Sequence, residues 1–165
     1  MIKPAVVLSC ALLISATTFA DEPSVHVQPA QLQGSRLLEK QTESSVIRDY
    51  LQSWNSMRRA LDENRATELD PDFIGAARDR FGETIAAQSR SGIHTRYQDR
   101  SHDLQIVFYS PEGLSIQMTD EVEYEQQVLE KDKVLATTLV HRRYLVVLTP
   151  SEVRWQVRIF QAAQN

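Results

Sequence analysis

The chain has 165 residues, a formal net charge of −4, 42% hydrophobic residues and a single cysteine. That length supports one domain with a real core, and mild acidity without a basic cluster argues against a nucleic-acid surface. The lone Cys10 excludes an internal disulfide and any metal site built from several cysteines.

The first residues, MIKPAVVLSCALLISATTFADEPS, place one lysine before an apolar run that ends at Thr18-Phe19-Ala20. This pattern predicts a signal peptide over residues 1–20, cleaved before Asp21, and hence a periplasmic or secreted protein. The run is short for a membrane span, so an uncleaved anchor is the second reading, and no membrane association is expected after cleavage. Lipidation at Cys10 would leave Ala11-Leu12-Leu13-Ile14 exposed and is disfavoured. Cleavage removes Lys3 and Cys10, leaving a mature chain without cysteine.

Residues 21–43 read as a flexible leader, since 21–34 (DEPSVHVQPAQLQG) hold two prolines and many polar residues. The domain itself is expected over 44–162. Val46, Ile47, Tyr50, Leu51, Trp54, Met57 and Leu61 recur every three or four residues and predict an amphipathic helix. Asp70-Pro71-Asp72 then predicts a second helix start, with an acidic N-cap, proline at the first helical position and another acid near the positive end. Its buried face would carry Phe73, Ile74, Ala77, Phe81 and Ile85, and Gly92 suits the C-terminal cap.

From Tyr97 the period changes to two. Four strands are expected, at about 97–109, 114–129, 134–148 and 153–162, forming an antiparallel meander. Ser110-Pro111-Glu112-Gly113 suits a type I turn with a left-handed glycine, Lys131-Asp132-Lys133 a three-residue loop, and Thr149-Pro150-Ser151-Glu152 an even-length one. With these loops one face collects Leu104, Ile106, Phe108, Leu114, Ile116, Met118, Val122, Val140, Val146, Leu148, Val153, Trp155, Val157 and Ile159. The other collects Glu121, Glu123, Glu125, Arg143, Arg154, Gln156 and Arg158. A one-residue slip in either of the first two hairpins would mix them.

The segments VIRDYLQSWNSMRRAL, DPDFIGAARDRF, SGIHTRYQDRSHDLQIVF and HRRYLVVLTPSEVRWQVRIF, in this order, resemble the nuclear-transport-factor-two-like (cystatin-like cone) superfamily. Within it the pattern is most similar to the stromal-type domain of plastid and cyanobacterial division proteins, a non-catalytic branch. The resemblance covers roughly residues 44–161. It implies an α+β fold in which N-terminal helices pack on a curved four-stranded meander and enclose a cone-shaped cavity. Both enzymes and inert binding modules use that cavity, so the fold alone does not decide function.

The polar residues that the register puts on the apolar face matter most. They are Asp120, Arg142 and Tyr144, with His102 entering at the start of its strand, and buried polar groups need partners. One reading makes Asp120 and His102 an acid/base pair of a cofactor-independent lyase, isomerase or hydrolase, with Arg142 and Tyr144 orienting an oxyanion. The other makes Asp120 and Arg142 a structural ion pair, and it is preferred because such sets are common in structure. Trp54, Met118 and Trp155 join these residues as expected lining of the cavity.

No cofactor or metal is expected. His94, His102 and His141 alternate faces, and there is no Gly-rich phosphate loop or catalytic elbow. Glu121, Glu123 and Glu125 are read as cross-strand partners of Arg143 and Arg158 rather than as a cation site. The sequence therefore predicts an exported, non-enzymatic module that binds a protein partner or a small apolar ligand. A homodimer through the outer sheet face is the other expected association.

Overall fold

The computed structural model describes residues 22–34 and 36–163. The expected signal segment, with Cys10, lies outside them. Among the described residues no helix is long and apolar enough to cross a membrane.

Helix α1 (Lys40–Glu63) carries the predicted stripe, with Val46, Tyr50, Trp54, Met57 and Leu61 buried. It starts before residue 44, its first turn lying on the surface. It stops at Asn64, whose left-handed backbone (φ 52°) turns the chain. The Asn64 side chain ties that end down by donating to the Ile93 carbonyl and accepting from Gln88.

The second helix does not begin at Asp70-Pro71-Asp72. A short 3₁₀ turn (Ala66–Leu69) continues as a turn over residues 70–72, Phe73 and Ile74 are extended beside Val157, and α2 runs Gly75–Arg90. Tertiary pairing overrides the capping pattern here. The Asp72 carbonyl accepts from the Val157 amide and the Ile74 amide donates back to the Val157 carbonyl, at 2.8 and 2.9 Å. Asp72 itself is buried, accepting from the Ser56 hydroxyl at 2.6 Å and from Arg154 at 2.8 Å. Arg154, expected on the solvated face, is therefore a partner of a buried carboxylate, and that bond raises its pKa. At the other end Gly92 takes the left-handed conformation (φ 68°) the sequence led us to expect.

The meander is as expected in order and direction, with two strands longer and two shorter than expected: β2 (His94–Tyr109) and β4 (Lys133–Pro150) are longer, β3 (Ile116–Glu130) and β5 (Trp155–Ala162) shorter. Gly113 (φ 76°) closes the first turn with its amide on the Ser110 carbonyl. The second turn is shorter than predicted, since Glu130 pairs directly with Lys133. A bulge at Leu135 then restores the register a three-residue loop would have set, so Asp120 lies opposite Tyr144 and Val122 opposite Arg142.

Bulges also move residues between faces. One at Val107 leaves Phe108 half-buried and turns Tyr109 inward, and one at Arg158 turns Phe160 inward and Ile159 out. Leu114 and Val153 sit in the turns and are exposed, not on the apolar face.

A fifth strand lies in the segment expected to be a flexible leader. There β1 (Ser24–Val27) pairs in parallel with Ser101–Leu104, and Gln28, Gln31 and Gln33 continue with backbone bonds to β2. Its side chains are exposed, so no apolar alternation announces it; the backbone bonds hold it. The core lies between the two helices and the inner face of the curved sheet.

Candidate functional site

The sheet register brings Asp120 and His102 onto neighbouring strands, and α1 supplies the third member. Asp120 Oδ2 accepts from the Tyr50 hydroxyl at 2.6 Å and from His102 Nδ1–H at 2.8 Å. All three side chains are buried. Burial, then the adjacent carboxylate, holds the Tyr50 pKa well above its usual value, so Tyr50 remains a hydrogen-bond donor. The expected Asp120–Arg142 ion pair is absent. Arg142 stands two residues from Tyr144 along a strand whose rim is solvated, and its side chain is exposed. The helix supplies Tyr50 as the partner instead, a neutral donor needing no second buried charge.

Next to this cluster is a cavity of about 180 Å³ between α1, α2 and the sheet. Trp54, Tyr97, Tyr144 and Phe160 wall it, Met57, Leu61 and Phe81 fill its base, and the exposed Arg80 and Arg142 are at its mouth. The aromatic rings form one packed set. Tyr97 and Tyr124 lie 4.7 Å apart between centroids, and Tyr144 and Phe160 4.6 Å apart. The Tyr124 and Tyr144 hydroxyls share a 3.0 Å hydrogen bond. Burial pushes the Tyr97 pKa up to about 12 and raises that of Tyr144 too, against the pull of Arg142.

Trp54 separates the cavity from the buried carboxylate. Its indole meets His102 edge-on, with centroids 5.0 Å apart at 86°, and the same side chain forms part of the cavity wall. Its indole N–H has no acceptor among the described residues. The structure thus places Trp54, Arg142 and Tyr144 at the cavity and leaves Met118, Asp120 and Trp155 outside it. Met118 is fully buried opposite Ile106. Trp155 is half-buried at the far end of the sheet, where its amide donates to Asp49 Oδ2 of α1 at 2.9 Å.

Sequence reasoning missed Tyr97, Phe160, Phe81 and Arg80. Phe160 was hidden by the bulge at Arg158, and helix α2 had no visible partner on the sheet. The histidines lie apart, His94 with Asp62, His102 with Asp120 and His141 with Glu121. Glu123 and Glu125 pair with Arg100, on the neighbouring strand, and not with Arg143 or Arg158.

No protein-family model matches the sequence, and no curated protein matches it. Solved structures do match the fold. The intermembrane-space region of the chloroplast protein ARC6 superposes with a TM-score of 0.63 at 12% identity, covering 79% of this chain and all of that one. A putative scytalone dehydratase from Novosphingobium aromaticivorans gives 0.51 at 12% identity, over 76% of this chain and 89% of that one. ActVI-ORFA from Streptomyces coelicolor gives 0.51 at 13% identity, over 73% and 95%. This chain therefore has the nuclear-transport-factor-two-like α+β fold, with ARC6-like similarity across most of its length.

Proposed function

We propose that this domain binds, without transforming, a small ligand or the tip of a partner that has an apolar body and an acidic head. The carrying observation is the position of Trp54. It walls the cavity on one side and packs on His102 on the other, so the groups best suited to acid/base work are closed off from anything in the cavity. What the cavity offers is aromatic surface and two arginines at the mouth. At about 180 Å³ it is close in size to cavities of roughly 150 Å³ that accept a single benzene ring. The arginines favour a carboxylate at the open end.

The lysine-led apolar run and the small residues Thr18 and Ala20 support a place of work outside the cytoplasm. An envelope protein whose N-terminal sequence starts at Met1 would count against that.

Benzoate and benzamide are suitable probes, being alike in shape and different in charge. Benzoate should raise the melting temperature and change Trp54 fluorescence more than benzamide, and Arg142→Ala should remove the difference. No response to either compound would sink the proposal. The second reading is a cofactor-independent lyase, supported by the 2.8 Å contact of His102 with Asp120 and by a fold neighbour described as a putative dehydratase. It requires Trp54 to swing aside. Binding of benzoate that survives Asp120→Asn supports the binding module, and loss of binding supports the lyase.

A further inference from the structure

Strand β4 is much longer than its neighbour β5. Pairing with β5 begins at Tyr144, and the Ala163 amide reaches only to the Arg143 carbonyl. From Lys133 to Arg142 the outer edge of β4 has no backbone partner among the described residues, and residues 133–139 are all exposed. Val134, Leu135 and Leu139 are 45, 50 and 56% exposed there. A long edge of this kind, with free N–H and C=O groups between apolar side chains, is a template for strand pairing.

The sequence of the edge says what fits it. Residues 134–140 read Val-Leu-Ala-Thr-Thr-Leu-Val, nearly the same in both directions. A two-fold antiparallel pair needs that symmetry, because each residue then meets the counterpart of its own mirror position. With Thr137 opposite Thr137, Ala136 meets Thr138, and the bulged pair Leu135 and Val134 comes against Leu139 and Val140, every pair occurring twice. At the ends Asp132 comes opposite Arg142 and Lys133 opposite His141, which has Glu121 at 3.2 Å. Lys131 and Arg143 lie beyond the ladder, since the Ala163 amide already takes the Arg143 carbonyl. The outer sheet face, with Arg100, Glu121, Glu123 and His141 paired among themselves, offers a second copy little.

We propose that the edge of β4 pairs antiparallel with the same edge of a second copy, about a two-fold axis through Thr137, joining two sheets into one. The inference is independent of what the cavity holds.

Cysteine crosslinking tests it, because Cys10 is the only native cysteine and Cys10→Ser gives a clean background. In this pairing the two copies of residue 137 face each other within about 5.5 Å, whereas the two copies of residue 133 are roughly 26 Å apart along the strands. Under mild oxidation of the full chain, Thr137→Cys should form covalent dimers and Lys133→Cys should not. Leu139→Lys, an exposed position that should not affect folding, should abolish both crosslinking and the dimer seen in sedimentation equilibrium. A monomer at about 100 μM, or equal crosslinking at 133 and 137, overturns the proposal. So does crosslinking through Glu121→Cys instead, which would put the contact on the sheet face.

Discussion

Tyr50 on α1 donates its hydroxyl proton to Asp120 on β3 across 2.6 Å, with both side chains closed off from solvent. This bond fastens the long helix to the middle of the sheet. In place of an arginine, the Tyr50 and His102 donors converge on the Oδ2 of Asp120, while its buried Oδ1 has no partner among the described residues.

Tyr50→Phe removes a hydrogen bond to a charged group and nothing else of size, so it should cost roughly 1.5–3 kcal/mol. Arg142→Ala, at an exposed position without a bond to Asp120, should stay within about 0.5 kcal/mol. Urea unfolding of the two variants reads the difference. A loss for Arg142→Ala as large as that for Tyr50→Phe would restore the Asp120–Arg142 pair.

The same tyrosine sets a pH limit. Its pKa in the fold is raised well above the value of about 10 that it has when unfolded. Above that pH the unfolded chain gives up a proton which the folded chain keeps, so stability must fall as pH rises. Tyr97, raised to about 12, acts in the same direction. The contribution is fully present below about pH 10 and is lost on the way up. Unfolding free energy measured from pH 9 to 12 should decline, and Tyr50→Phe should flatten the decline. An identical slope for the variant would show that Tyr50 titrates normally in the fold.

Much of this architecture is legible in the sequence because period and turn chemistry are local. The stripe from Val46 to Leu61, the left-handed Gly113 and Gly92, and the order of four strands all follow from spacing. The contact of Asp120 with His102 belongs to one of the two readings the sequence offers, since both lie on the apolar face of adjacent strands. What was not legible depends on contacts distant in the chain. Asp70-Pro71-Asp72 has every mark of a helix start, yet it forms a turn, and backbone bonds from Asp72 and Ile74 to Val157 delay the helix to Gly75. Arg154 falls on the polar parity of the expected strand but lies in the turn before β5 and bonds to Asp72. The strand Ser24–Val27 has no buried side chain and so no pattern at all. Bulges are equally silent, because one inserted residue leaves the composition of a strand unchanged.

The bulge at Arg158 gives the sharpest test of the observed register. Simple alternation through Trp155 and Val157 would bury Ile159, but the strand shifts by one and buries Phe160, leaving Ile159 37% exposed. Phe160 packs against Trp54, Phe81 and Tyr144, with ring centroids 5.8, 5.4 and 4.6 Å away. Phe160→Ala should therefore cost roughly 3–5 kcal/mol, through lost contacts and an enlarged cavity. Ile159→Ala should cost about 1 kcal/mol or less, as at other half-solvated sites. Denaturant unfolding of both variants decides it. If Ile159→Ala is the more damaging, the bulge is absent and Phe160 leaves the cavity wall. Since Phe160 bridges α2 and β4 at that wall, its removal should also weaken benzoate binding, whereas Ile159→Ala should leave binding as it is.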